Sequence, residues 1–369
     1  MNLSIAKDHL LAGLQAVQNV VSTRTTLPVL SNVLLRTEGD LLTLTATDLD
    51  VTIACAVPAR VSTQGATTLP VKRLFTIARE LGAAEIELKT DDKNVTSIRS
   101  GASLFRVRGL GAEEFPNLPT FQDQRKIEMP QEKLRTILRR TSFATSTDES
   151  RYVLNGLFFS LRDQKLTVVA TDGRRLALAE EEVDAGDSAA GDFIVPSKAV
   201  NELGRLLQEK GTIRVISGEN QALFWLTDEK GGDIRIITKL IEGNYPNYRQ
   251  VIPGEAKERV PLPREEFMHA LRRTEIMTSE KQNSVKLTFT TNNLSIVANS
   301  PDIGDAEESM AINYKGADIS VAFNPGYLID PLNAIANDEV FIELINELSP
   351  GVLKINGPYL YVVMPMRLT

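Results

Sequence analysis

The 369-residue sequence predicts an α+β fold built as three repeated domains, and three recurrences carry that prediction. A strand-ending motif, Ala46-Thr47-Asp48, returns as Ala170-Thr171-Asp172 after 124 residues and, degraded, as Ala298-Asn299-Ser300 after a further 128. A helical stretch, "ILRRTSFATS" (137–146), returns as "ALRRTEIMTS" (270–279), and "GLQAVQNVVS" fits the same frame loosely near the N-terminus. A short apolar strand running into a helix occurs three times, as "TTLPVKRLFTIAREL", "DFIVPSKAVNELGRLL" and "SVAFNPGYLIDPLNAI". Ordered self-similarity of this kind is the signature of repeated structural units.

The elements follow in order within each repeat: strand, helix, several strands, then a strand leading into a second helix, and more strands. The first helix places apolar or small residues one turn apart, at Leu10, Leu14 and Val17, at Leu134, Leu138 and Thr141, and at Phe267, Leu271 and Thr274. A second helix is expected near 326–338 in the third repeat, carrying Asp330 and Asp338. Segments such as "KLTVV", "KLTFT" and "GTIRVIS" are rich in β-branched residues and read as strands. Gly231-Gly232 in "TDEKGGDIRI" supplies the permissive backbone of a hairpin turn. Two proline-rich polar connectors, beginning at Phe115-Pro116-Asn117 and Tyr245-Pro246-Asn247, punctuate the chain and set expected domains at 1–124, 125–254 and 255–369. Each domain should lay helices on one face of antiparallel sheet.

Composition is that of a globular chain, 42% hydrophobic and 24% charged. No basic segment leads into an apolar run at "MNLSIAKDHLLAGLQ", and no stretch nears the roughly 20 apolar residues of a membrane span. With a single cysteine, Cys55, the sequence suits a reducing compartment, so a cytoplasmic protein without membrane association is expected. The net charge of −7 argues against a uniformly basic surface, but its distribution is uneven. Helical segments hold Lys72, Arg73 and Arg79, Lys133, Arg135, Arg139 and Arg140, Lys198, Arg205 and Lys210, and Arg264, Arg272 and Arg273. Acid gathers instead in "EEEVDAGD", "NSPDIGDAEES" and "NDEVFIEL". Either these are ordinary solvated helix faces, or the repeats turn one basic side toward a phosphate backbone.

Catalytic signatures are weak. The two histidines, His9 and His269, sit in first helices, no G-x-S-x-G elbow occurs, and "GLGAEEF" lacks the third glycine of a dinucleotide fingerprint. Asp48 and Asp172 could form a carboxylate pair for hydrolysis, but equivalent positions in different repeats should lie about a domain apart. Turn capping by each aspartate is the favoured reading. No catalytic residue, metal site or cofactor is expected. The C-terminal "YLYVVMPMRLT" is unusually apolar for a terminus, which fits a docked strand, a groove lined by flexible methionines, or both.

The repeats together with "RYVLNG", "ATDGRRLA", "YPNYRQVIP" and "YVVMPMRL" resemble the bacterial DNA sliding clamp family, the beta subunits of replicative DNA polymerase III, over the whole length. The resemblance implies a head-to-tail homodimeric ring of DNA-clamp domains, helices lining the inside around double-stranded DNA and sheets outside. It implies a processivity factor that slides without sequence specificity. Its partners would be the replicative polymerase catalytic subunit, the clamp loader, and repair and translesion polymerases and other proteins bearing a clamp-binding motif. A clamp-fold scaffold without DNA function is the alternative.

Carried across, the partner-peptide cleft comprises Leu154, Thr171, Gly173, Arg174, Arg175, Leu176, Pro246 and Val251 from the second repeat. The third repeat adds Asn324, Tyr327, Val362, Val363, Met364, Pro365, Met366, Arg367 and Leu368. Arg174 stands where histidine is common in the family, Gln250 where arginine is common, and Thr369 extends the usual terminal leucine. DNA contacts are expected from Arg24, Lys198 and Arg205, and from Arg73, Arg139 and Arg272 by repeat position. The dimer seam would set Arg106 and Arg108 against Asp302, Asp305, Glu307 and Glu308, with Ile276 and Met277 as its apolar part.

Overall fold

The structure is a computed structural model, and it describes residues 1–21, 27–117, 121, 125–185, 191–229, 231–254, 256, 258–280 and 282–367. Among these residues the helices come two to a repeat: α1 (Lys7–Val17), α2 (Val71–Glu80), α3 (Gln131–Thr141), α4 (Ser197–Leu206), α5 (Arg264–Glu275) and α6 (Pro325–Ala334). The expected face of each first helix is the buried one, from Leu10, Leu14 and Val17 through Leu134, Leu138 and Thr141 to Phe267, Leu271 and Thr274. A buried threonine in a helix must satisfy its hydroxyl. Thr141 donates to the Ile137 carbonyl at 2.9 Å, and Thr274 to the Ala270 carbonyl at 3.0 Å, each back onto its own helix.

The last expected helix is shorter than the sequence suggests. It stops at Ala334 because Ile335 turns extended (φ −102°, ψ 156°), which leaves Asp338 outside it. The carbonyl of Asp338 instead accepts the Arg264 amide at 2.8 Å.

The chain divides into two compact units, one of Met1–Arg135, Val183–Ala190 and Lys198–Leu240, the other of Thr136–Glu182, Gly191–Ser197 and Ile241–Thr369. The division cuts the middle repeat because the large sheets are shared between repeats. In the first unit a nine-stranded sheet joins first-repeat to second-repeat strands where Val51–Pro58 pairs antiparallel with Asp233–Lys239, Ile53 opposite Ile236 and Cys55 opposite Ile234. A separate five-stranded sheet ends on Ser103–Arg108. In the second unit an eight-stranded sheet joins the second repeat to the third where Arg175–Glu182 pairs with Tyr359–Val363. A four-stranded sheet there ends on Gly304–Ala311.

Helix α1 rests on the strands Leu41–Thr47 and Val51–Pro58, and Gly13 makes the close approach possible: a Cβ there would sit 2.7 Å from Leu44 Cδ1 and 3.3 Å from Val57 Cγ1. On the second of these strands, burial pushes the Cys55 thiol up to about 12, with Asp233 and Asp228 adding to the effect, so its reactive thiolate is suppressed. The strands Gln221–Thr227 and Asp233–Lys239 form the expected hairpin, with Gly231 at φ 80°.

The repeated Ala-Thr-Asp motif is one turn built twice. Asp48 Oδ1 accepts the amides of Asp50 (3.1 Å) and Val51 (2.8 Å), and Asp172 Oδ1 those of Arg174 (2.9 Å) and Arg175 (3.1 Å). Thr47 and Thr171 each accept the amide two residues on, from Leu49 and Gly173, at 3.1 Å. That next-but-one residue is left-handed in both copies, φ 79° at Leu49 and 85° at Gly173. Leucine is strained there and glycine is not.

Substitutions at the two positions should therefore shift stability in opposite directions. Leu49→Gly is expected to raise the chemical-denaturation midpoint by the equivalent of about 0.5–1 kcal/mol, and Gly173→Ala to lower it by about 1–2 kcal/mol. Equal shifts of the same sign would show that the turns differ.

Candidate functional site

At the end of the Arg175–Glu182 strand lies a small recess of about 60 Å³. Leu176 and Val362, cross-strand partners, form its apolar floor. They belong to a buried cluster with Val169 and Tyr248, backed by Phe158, Tyr245 and Ile252. Phe158 and Tyr245 stack with ring centroids 4.9 Å apart. Thr171, Gly173, Arg174 and Arg175 line one side, and Val251 and Met364 stand exposed at the rim. A preformed apolar hollow with a few fixed polar groups is what a hydrophobic anchor of a peptide requires. Each large apolar side chain seated in such a hollow contributes about 1.5–3 kcal/mol.

Arg175 holds the wall in place. Its Nε donates to Asp172 Oδ2 at 3.0 Å, one terminal nitrogen to Asp330 Oδ2 at 2.5 Å and the other to the Phe143 carbonyl at 2.7 Å. The guanidinium also lies over the rings of Tyr327 (4.5 Å) and Phe143 (5.6 Å). Burial works against its charge, but the Asp330 hydrogen bond and the charges of Asp172 and Asp330 outweigh it, and the pKa is raised above the ordinary arginine value. Asp330 is thus the partner that anchors α6 to this arginine.

The chain terminus is tied at successive points. Tyr359–Val363 is an interior strand, paired on one side with Arg175–Glu182 and on the other with Gly351–Lys354. Tyr361 is fully buried, and burial pushes its hydroxyl well above the ordinary range, so it stays protonated and donates to the Tyr327 carbonyl at 2.6 Å. Beyond the strand, the Met364 amide donates to the Arg174 carbonyl (2.9 Å) and the Met366 amide to the Ala322 carbonyl (2.7 Å).

The recess gathers eight of the expected cleft residues. The other expected residues do not line it. Leu154 and Val363 are buried, and Pro246, Met366 and Arg367 are exposed, with Pro365 between these extremes. Asn324 caps α6 by accepting the Tyr327 amide at 3.3 Å, and Leu368 lies outside the described residues. Sequence reasoning missed Arg151, which donates to the Asp172 carbonyl at 2.8 Å and pairs with Asp148 at 3.0 Å beneath Gly173. It also missed Tyr248, although the aromatic Tyr-Pro-Asn-Tyr connector signalled that residues there are packed.

Of the expected DNA contacts, Arg73 on α2, Arg139 on α3 and Arg272 on α5 are exposed, with Arg272 donating to Asn333 Oδ1 at 2.7 Å. Arg139 and Arg272 lie in the last turns of their helices, where a cation also complements the helix dipole. Arg205 is engaged within the protein: it donates to the Gln15 (3.0 Å) and Ala16 (2.6 Å) carbonyls at the end of α1 and to Glu202. Lys198 is ion-paired with Asp48. Arg24 lies outside the described residues.

The expected seam residues sit on or beside two open sheet edges. Ser103–Arg108 exposes Leu104 and Phe105 as well as Arg106 and Arg108. Asp305 and Glu307 point outward from Gly304–Ala311, Asp302 lies in the turn before it, and Ile276 is 72% exposed. Met277 is half-buried nearby in sequence. Glu308 is held by Arg273 in a two-pronged pair (2.7 and 2.8 Å), which keeps its carboxyl below the usual range.

Removing the Arg175 web tests the site directly. Arg175→Met is expected to cost about 2–3 kcal/mol of stability by stranding two carboxylates, and Arg175→Lys to restore less than half, because a point charge cannot replace a planar fork. Denaturant titration checks both, and full rescue by lysine would show that only charge matters.

Profiles of the DNA polymerase III beta subunit match along the chain, the N-terminal domain at residues 1–119, the central domain at 128–247 and the C-terminal domain at 249–367. The beta sliding clamp of Chlamydia muridarum is 36% identical, with 100% of this chain and 99% of that protein covered. That of Pseudomonas putida is 34% identical with 100% of both covered. Among solved structures, the DNA polymerase III subunit beta of Pseudomonas aeruginosa aligns with a TM-score of 0.93 at 33% identity, covering 100% of each chain. The sliding clamp of Bartonella birtlesii bound to griselimycin gives the same TM-score, 0.93, the same 33% identity and the same full coverage. The shared sheets, the twice-built turn and these full-length matches have one conclusion: the chain belongs to the beta sliding clamp family, the beta subunits of DNA polymerase III.

Proposed function

We propose that the protein is a non-catalytic processivity factor, a homodimeric ring of three clamp domains per chain (1–124, 125–254, 255–369) that encircles duplex DNA. The carrying observation is the preformed apolar recess at the joint of the Arg175–Glu182 and Tyr359–Val363 strands, on a chain whose two smaller sheets end on Ser103–Arg108 and Gly304–Ala311. The recess seats hydrophobic anchors from the polymerase catalytic subunit, the clamp loader and repair polymerases. An exposed edge carrying Leu104 and Phe105 is an aggregation hazard unless it is paired, and pairing with the acidic Gly304–Ala311 edge of a second copy covers it. Opposite charges on the two edges favour this head-to-tail match, and closure after two chains makes a ring. Because Glu308 is already held by Arg273, the acids offered across this seam are Asp302, Asp305 and Glu307.

DNA is held by phosphate contacts from basic helix residues, Arg73, Arg139, Lys198, Arg205 and Arg272, with Arg24 adding to them. The Asp48 and Asp172 carboxylates are engaged by their own turns and cations, which favours binding over hydrolysis. No helix among the described residues is long and apolar enough to cross a membrane, and a cytoplasmic location fits the single buried thiol.

Retention on DNA tests the ring. After loading, the protein should stay on a nicked circular plasmid through gel filtration and be lost when the circle is cut. Equal retention on circle and linear DNA contradicts encirclement, and failure to load at all favours a scaffold without DNA function.

A further inference from the structure

The two Ala-Thr-Asp turns divide their carboxylate oxygens identically. In each, Oδ1 takes two backbone amides and Oδ2 is left to a cation. In the second repeat that cation is Arg175, three residues on and part of the recess wall. In the first repeat it is Lys198, 150 residues away in sequence at the start of α4. The turn fixes the carboxylate, whose side chain is 9% exposed, while the lysine is 51% exposed. Asp48 is therefore a rigid anion holding a long, partly solvated cation.

Placement makes this pair more than an incidental surface bridge. Lys198 lies in the first turn of α4, where the helix dipole disfavours a positive charge and attracts anions. Asp48 supplies the anion from within the chain. The other basic residue expected to meet DNA from this helix, Arg205, is likewise occupied, by Glu202 and two α1 carbonyls.

We propose that Asp48 is a positioning residue that competes with DNA phosphate for Lys198, so that each phosphate must displace a built-in carboxylate. The effect is to keep the DNA contact weak and short-lived, which suits a protein that slides. The inference rests on the reading of Lys198 as a DNA contact. It gives the repeated turn one chemistry with two uses: holding a cation firmly at the peptide recess, and restraining one on α4.

The test is binding of the full-length protein to a short fluorescent duplex, followed by anisotropy across a salt series, for the native protein, Asp48→Asn, Lys198→Ala and the double variant. Asparagine keeps the Oδ1 acceptor of the turn, and thermal unfolding checks that each variant is folded. Asp48→Asn is expected to bind about 2–5-fold more tightly at low salt, the scale of a partly exposed ion pair. Its log–log salt slope should steepen by a fraction of the about 0.9 that one full phosphate contact carries, because Lys198 then meets phosphate without a competing carboxylate. Lys198→Ala should weaken binding, and the double variant should match Lys198→Ala. If Lys198→Ala weakens binding while Asp48→Asn leaves it unchanged or weakens it, the competition is overturned and the DNA contact stands. If Lys198→Ala has no effect, the DNA-contact reading itself fails, and the inference with it.

Discussion

The candidate site depends on one strand pairing, Arg175–Glu182 against Tyr359–Val363. It places Leu176 opposite Val362 and so makes the recess floor from residues almost 190 positions apart in the chain. It also makes the eight-stranded sheet continuous, because Tyr359–Val363 is paired on both sides. A terminal strand would ordinarily fray. Here it is interior, with Tyr361 fully buried, so the segment that follows leaves a rigid edge and arrives at the recess rim with Met364 in a defined place. Exposed, flexible methionines on a fixed frame suit a surface that accepts several related apolar anchors.

The second organising device is the Ala-Thr-Asp turn. Repetition preserved its hydrogen bonds down to which carboxylate oxygen faces the backbone, while the cation at the other oxygen diverged. In the second repeat a glycine occupies the left-handed position and Arg151 packs beneath it, so the turn can sit against the recess. In the first repeat a leucine occupies the same position, and the turn serves α4 instead. Charge placement in the fold is thus local and paired: many helix cations are answered by a nearby acid, carbonyl or helix end.

Much of this was legible in the sequence because repetition multiplies weak signals. The spacing of Leu134, Leu138 and Thr141 would be ambiguous alone, and its recurrence at Phe267, Leu271 and Thr274 identifies a buried helix face. The turn role of Asp48 and Asp172 was readable for the same reason. What could not be read was long-range partnership. Nothing near Asp330 in sequence points to Arg175 as its partner, and nothing near Arg205 points to the α1 carbonyls. Ion pairs across 150 residues leave no local pattern. The end of α6 is not legible because nothing at Ile335 marks a stop in sequence, whereas the chain turns there and brings the Asp338 carbonyl to the Arg264 amide.

The central claim is that the recess is preformed by the last strand and is not created by the ligand. Amide hydrogen exchange with and without a short peptide bearing apolar anchors tests it most directly. The account predicts slow exchange at 360–363 in the free protein, with the peptide adding protection chiefly at the rim amide of Met364. Fast exchange along 360–363 that becomes slow only when peptide is added would contradict it.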